Sequence, residues 1–409
     1  MTVAAQLRTL TPSQRNAFIA AFLGWALDAF DFFVLVFILK DIAASFGTSV
    51  SAVSFALTLT LAFRPVGALI FGWAADRYGR RVPLMVNILC YSIINLTCGF
   101  APNLTALLIL RSLFGIAMGG EWGLGASLAM ESVPEETRGL LSGILQEGYP
   151  TGYLLASIVY GVVFPWLGWR WMFFVSVLPA LLSLFIRSKV EESPVWERQR
   201  QQQLTQPEPL TLGRFAARYG FLFGYLVLLM TAFNFMSHGT QDIYPTFLQK
   251  QRHFHPGTVS AIAITYNIGA MLGGACFGAF SQRIGRRRAI ILATFLALPL
   301  ISLWAYAPTA ATLAAGAFLM QFMVQGAWGV IPIHLSELSP NAARGTFTGF
   351  AYQLGNLFAA INATLQTKMA EAHHGDYAFA LSRVIGVVLL CVIVVTALGP
   401  EARGSRFAE

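Results

Sequence analysis

Asn234, His238 and Gln241 follow i, i+4, i+7 spacing in the stretch N-F-M-S-H-G-T-Q-D-I-Y-P-T at 234–246, so on a helix they share one face. That face offers amide and imidazole donors, which can hold a carboxylate or a hydroxyl without a second full charge. Ser237 joins them as a binding candidate, and Asp242, just beyond, is a candidate gate or cap. The other residues that could do chemistry are charges inside apolar runs: Asp28, Asp31, Arg64, Arg111, Glu121 and Glu147. A charge in hydrocarbon costs a few kcal/mol or more, so each is a functional candidate. Arg64, in A-F-R-P-V-G, offers a two-pronged fork to a carboxylate and stays charged at any relevant pH; its other use is an ion pair with Asp28 or Asp31. A group that takes up and releases a proton must be a carboxylate or an imidazole whose surroundings change. Asp28 and Asp31 lead that set, with Glu147 and His238 behind them. Burial raises a carboxyl pKa and a nearby arginine lowers it, so an anion arriving at Arg64 would couple the two sites. Arg111 and Glu121 are a candidate intramembrane ion pair or coupling pair.

The elements that position these residues follow from composition. Of the 409 residues, 56% are hydrophobic and 11% charged, with 33 Phe. Soluble globular chains carry about a quarter charged residues, so a soluble enzyme is excluded and an all-α polytopic membrane protein is expected. The net charge is +8, but most of the 27 Lys and Arg fall before the first apolar run, after the last, or in alternate loops. That asymmetry predicts both termini on the cytoplasmic side and an even number of spans; the arginines face anionic headgroups, not nucleic acid. Cys90, Cys98, Cys276 and Cys391 form no CxxC pair and are expected as buried free thiols, with no metal site. The first apolar stretch is long enough to remain as a helix and contains Asp28 and Asp31, so no cleavable signal is expected. GxxxxGK(S/T), HExxH and GxSxG are missing from the sequence, and with them support for ATP-driven transport by this chain or for the common hydrolase mechanisms.

Hydropathy and loop charge predict helices near 17–38, 51–74, 82–101, 104–128, 139–164 and 168–187, and again near 219–249, 257–280, 288–307, 310–332, 345–370 and 377–398. The stretch 188–217 is polar and reads as a cytoplasmic linker between an N-terminal bundle, 1–187, and a C-terminal one, 218–409. One constant offset aligns Gly72 with Gly278, Arg77 with Arg283, Gly79-Arg80-Arg81 with Gly285-Arg286-Arg287, and Trp122-Gly123 with Trp328-Gly329. The same offset aligns Glu131 with Glu337, Pro134 with Pro340 and Arg138 with Arg344. The halves are therefore one six-helix unit repeated in parallel. Asn234 then lies opposite Asp28 and Ser237 opposite Asp31, which predicts helices 1 and 7 facing each other across a central cavity.

G-W-A-A-D-R-Y-G-R-R at 72–81 and its degenerate copy G-A-F-S-Q-R-I-G-R-R at 278–287 resemble the signature of the major facilitator superfamily. Glu131 to Arg138, Glu337 to Arg344, E-E-S-P-V-W at 191–196 and P-E-A-R-G at 400–404 resemble its other cytoplasmic markers. The helix-7 stretch resembles NxxSHx(S/T)QDxxxT of Jen-type monocarboxylate/proton symporters in the sialate:proton symporter family. R-S-L-F-G-I-A-M-G-G-E at 111–121 is similar to the helix-4 motif of proton-coupled facilitators. The resemblance implies two pseudo-symmetric six-helix bundles, a carboxylate role for Arg64, and a cytoplasmic latch. The latch residues are Gly72, Asp76, Arg77, Gly79, Arg80, Arg81, Glu131, Arg138, Glu337 and Arg344. Physically, Gly72 permits close helix approach and Asp76 can pair with Arg80 or cap a neighbouring helix. Gln282 replaces the acid in the second copy and is expected to weaken any latch there.

The expectation is a monomeric, multi-pass carrier of the plasma or inner membrane that moves a small organic anion with a proton by alternating access. It needs no cofactor beyond that proton. A short monocarboxylate such as lactate or pyruvate is favoured over sialic acid, because 188–217 has no apolar run long enough for additional helices. A neutral-metabolite facilitator and a non-transporting membrane sensor are the more distant alternatives.

Overall fold

The computed structural model describes residues 10–48, 50–205, 212–340 and 344–401, and every regular element among them is a helix. Helix 1 starts where Thr11 and Gln14 cap each other's backbone around Pro12; it runs Pro12–Phe46 and stops at Gly47, whose φ of 62° suits glycine. Helix 2 spans Val50–Tyr78, helix 3 Arg81–Cys98 and helix 4 Leu104–Ser132. Helix 5 is Glu135–Gln146 followed by Gly148–Leu167, and helix 6 is Trp169–Val175 followed by Ala180–Lys189. In the second half, helix 7 is Leu212–Gln241, helix 8 Pro256–Ile284, helix 9 Arg286–Tyr306 and helix 10 Ala310–Leu338. Helix 11 is Arg344–Ala359 followed by Asn362–Ala372, and helix 12 is Tyr377–Leu398.

Among the described residues, ten of these are long and apolar enough to cross a membrane as single spans. Helices 5 and 11 complete the twelve, and both are broken midway. The break at Glu147 has a local cause, because the ring of Pro150 clashes with the carbonyl four residues earlier, at Gln146. Pro245 ends helix 7 at Gln241 by the same rule, so the expected span 219–249 becomes a long helix, a turn and a short helix, Tyr244–Lys250. The stretch expected as a linker, 188–217, contains the helix Pro194–Thr205 and the start of helix 7; residues 206–211 lie outside the described ones.

Small residues set the helix packing. A β-carbon at Gly115 or Gly119 of helix 4 would strike the Thr60 or Arg64 carbonyl of helix 2. In the other half, Gly269 and Gly273 of helix 8 meet the Phe318 and Phe322 carbonyls of helix 10 in the same way. Between the halves, Gly139 of helix 5 packs on Gly278 of helix 8, where an added β-carbon would sit 2.7 Å from the Gly278 carbonyl. Such contacts let backbones approach closely and slide. Phe221, Val387, Leu390 and Val394 are exposed on the outer faces of helices 7 and 12, as a lipid-facing surface requires. All four cysteines are free; Cys98 is buried, but Cys276 and Cys391 are exposed, correcting the expectation of buried thiols. Both stand on long apolar helices whose outer sides face hydrocarbon, where a thiol is as well accommodated as in a core.

Candidate functional site

A cavity of about 430 Å³ lies between the bundles. Helix 7 lines it with Ser237, His238, Gln241 and Asp242, and helix 1 lines it opposite with Phe32 and Phe33. The helix-7 face read from the spacing is thus turned to the cavity. Asn234 is the exception: it is buried, and its side-chain amide donates to the Met230 carbonyl at 2.9 Å. His238 is clamped, with Nδ1 3.1 Å from the Asp242 carboxylate and Nε2 3.1 Å from Oδ1 of Asn356 on helix 11. A neutral imidazole can donate to one of these oxygens, whereas the imidazolium donates to both. Asp242 therefore serves as partner to His238, from the position expected for a gate or cap.

Amides from helix 10 complete the wall. Gln241 donates to Gln321 Oε1 at 3.1 Å, Gln321 donates to the Thr240 hydroxyl at 2.9 Å, and Gln325 donates to the Ser237 hydroxyl at 3.3 Å. Sequence reasoning missed Gln321, Gln325 and Asn356. The i, i+4 pair of glutamines in an otherwise apolar helix was the available signal for the first two. Beneath the cavity a layer of rings crosses both bundles: Trp25 stacks on Tyr149 at 5.4 Å, Trp122 stacks on Tyr352 at 4.4 Å, and Trp328 meets Tyr352 edge-on.

The charges of the N-terminal bundle lie behind this wall. Arg64 is 2% exposed, sits outside the cavity lining, and has Nη2 3.6 Å from Asp28 and its guanidinium 5.5 Å from the Phe32 ring. Phe32 thus screens Arg64 from the cavity. Asp31 is also fully buried, facing Ser176 and Asn95. Arg111 donates to Asn95 Oδ1 at 2.8 Å, and Glu121 packs instead against Gly24 of helix 1. The expected Arg111–Glu121 pair is therefore not formed. Ten residues of helix separate them by about 15 Å and turn them to different faces. Glu147 is buried at the break of helix 5, its carboxylate against Gly274 of helix 8 in the other bundle.

On the opposite side, the basic face that carries Arg80 and Arg286, the expected latch residues come together. The Asp76 carboxylate pairs with Arg80 at 2.7 Å, while its other oxygen accepts from the Thr346 backbone at 3.0 Å and hydroxyl at 2.7 Å, capping the first turn of helix 11. Gly72 makes room for Thr346. Glu131 accepts from Arg80 and also from Arg344 of the other bundle, both at 3.1 Å. Burial works against the charge of Arg80, but Glu131 and Asp76 outweigh it and hold its pKa above the ordinary value. In the second copy Arg286 grips Glu337 with two bonds of 3.0 Å. Gln282 accepts from the Gly139 amide at 3.2 Å and donates to the Glu135 carbonyl at 2.9 Å, a neutral version of the Asp76 cap. Arg138 and Arg344 each staple the end of the preceding helix, at the Met130 and Ser336 carbonyls. Gly79 takes the tight turn with φ of 97°, and Glu192 receives the Arg80 and Arg81 amides. Arg77 lies over the Trp73 ring, to the side of the latch.

Comparison with known proteins gives three results. A model of the Major Facilitator Superfamily matches residues 21–254 and 227–409. A carboxylic acid transporter protein homolog of Saccharomyces cerevisiae is 30% identical over 435 residues, spanning 97% of this chain and 70% of the relative, and the sialic acid transporter NanX of Escherichia coli is 26% identical over 407 residues, spanning 98% of each. The solved structure of the proton:xylose symporter XylE bound to 6-bromo-6-deoxy-D-glucose matches with a TM-score of 0.80 at 19% identity, over 97% of this chain and 98% of that one, a likeness of fold alone.

Proposed function

The chain belongs to the major facilitator superfamily, related to carriers of carboxylic acids and of sialic acid, and from that premise we propose that it is a proton-coupled symporter of a small organic anion. The favoured substrate is a short monocarboxylate such as lactate or pyruvate. The observation that carries this reading is the clamped His238 in the cavity wall, a titratable group held between the Asp242 carboxylate and the Asn356 amide where an anion would rest. In this mechanism the carboxylate enters beside His238, Ser237 and Gln241, and Phe32 turns aside to admit it to Arg64. Arg64 then exchanges Asp28 for the substrate, and the released Asp28 takes up the proton. Loss of the outer opening and of the latch on the basic face follow as the bundles rock. Co-entry of a proton neutralises the anion, so uptake does not work against a membrane potential of about 2.3 kcal/mol per charge per 100 mV.

The Lys and Arg content of the basic face supports reading that face, and with it both termini, as cytoplasmic, in a monomeric carrier of a plasma or inner membrane. A larger acid sugar is the second reading, supported by the similarity to the sialic acid transporter and by the size of the cavity. The test is uptake into liposomes under an inward proton gradient, comparing labelled lactate with labelled sialic acid, in the wild type and in Arg64→Ala and His238→Ala. Lactate uptake that collapses with a protonophore and in both variants is the expected result. Sialic acid uptake with the same dependence moves the conclusion to the second reading, and uptake of neither acid by sealed vesicles defeats both.

A further inference from the structure

Behind helix 1 the N-terminal bundle buries a row of carboxyl groups that do not line the cavity. Gly24, Asp28 and Asp31 follow i, i+4, i+7 spacing and so share one face of helix 1, over about 10 Å of its axis. Glu121 of helix 4 is fully buried against Gly24, so close that a β-carbon there would collide with its Oε1. Three carboxyls therefore stand in file toward the basic face: Asp31, then Asp28, then Glu121. The Tyr91 hydroxyl of helix 3 lies within the electrostatic reach of all three. Arg111 with Cys98 borders the Asp31 end, and Arg64 borders Asp28. All these residues lie outside the cavity lining.

The file is also underpaired. Both oxygens of Glu121 and the Tyr91 hydroxyl are buried without a hydrogen-bond partner among the described residues. A buried polar group left unsatisfied is destabilising, and polar interiors of this kind are where bound water belongs.

We propose that this file is the proton path of the carrier, separate from the route of the substrate. It rests on the proton-coupled reading above. A proton taken up at Asp28 passes to the Tyr91 oxygen as the phenol gives up its own proton, directly or through water, to Glu121. The Glu121 carboxyl then releases a proton toward the basic face, leaving every group as it began. Glu121 and Tyr91 act as relay residues and never touch the substrate.

The test uses full-length protein in liposomes with Glu121→Gln and Tyr91→Phe, both close in shape to the original. Gradient-driven accumulation of labelled lactate is set against counterflow, in which labelled lactate exchanges for unlabelled lactate at equal pH and no net proton moves. The relay predicts that accumulation falls by on the order of a hundredfold in Glu121→Gln, while counterflow stays near the wild-type rate. Accumulation that persists in both variants, or counterflow that falls in step with it, overturns the path. A wild type that ignores the gradient defeats the symport reading itself, which separates the two failures. Infrared titration without substrate gives a second check: Glu121→Gln should lose one titrating carboxyl band, and an unchanged spectrum contradicts the relay.

Discussion

Glu131 and Arg344 form an ion pair of 3.1 Å that joins one bundle to the other, and the same carboxylate is held from its own side by Arg80 at 3.1 Å. The contact is buried at both partners and lies on the basic face, away from the cavity. On the proposed alternating-access mechanism, this pair and the Asp76 cap on helix 11 hold that face shut while the cavity is open on the other side.

Arg344→Ala removes a charge-assisted bond across the bundles but leaves Glu131 with Arg80, so the closed basic face should weaken by about 2 kcal/mol. Distance measurements between labels on the two bundles at this face should show a second, longer population. A single unchanged distance would mean that the pair does not latch.

Gly278→Val tests the backbone contact. A β-carbon at 278 would sit 2.6 Å from the Gly139 carbonyl, and valine adds more bulk at the same place. Uptake and counterflow should both collapse, because the basic face can no longer close, while thermal unfolding moves little. Counterflow at the wild-type rate would refute the sliding interface.

His238→Gln keeps a hydrogen-bonding side chain in the wall and removes the titration. Histidine changes charge between about pH 5 and 8, and its cationic form is the better partner for an anion. Apparent affinity for the acid should therefore fall as pH rises in the wild type, by about tenfold, equivalent to 1.4 kcal/mol. The variant should lose the part of this dependence that His238 contributes and keep the part that proton uptake at Asp28 imposes. Parallel profiles in the two proteins would remove His238 from the account.

Arg64→Lys retains the charge but loses the fork that grips a carboxylate. Uptake at low substrate should drop by about tenfold, as expected for one lost charge-assisted bond. Equal uptake in Arg64→Lys and wild type would confine Arg64 to its pairing with Asp28.

Much of this was legible in the sequence because the informative residues are repeated or regularly spaced. The constant offset between the halves matched the residues of the two cytoplasmic clusters, and the Gln282 replacement was expected to weaken the second, where the structure has a neutral cap. The i, i+4, i+7 face of helix 7 placed His238 and Gln241 on the cavity. Helix 1 was different. The offset set Asp28 and Asp31 opposite Asn234 and Ser237 across the cavity, but the helix is apolar around most of its circumference and buried on most sides, so its own pattern could not check that rotation. In the structure Phe32 and Phe33 face the cavity, and Asp28 and Asp31 turn inward behind them, which corrects that expectation. Asn356 was hidden for a related reason, since a lone amide in an apolar helix becomes part of a site only when its helix packs on His238, whereas Gln321 and Gln325 were signalled by their i, i+4 spacing and went unread.

The most direct test of the central claim is to follow luminal pH in liposomes that contain the protein and a pH-sensitive dye, with no gradient imposed. Adding lactate outside should acidify the lumen at a rate set by the protein, because each anion brings a proton with it. A lumen that stays at its starting pH while labelled lactate enters would contradict symport.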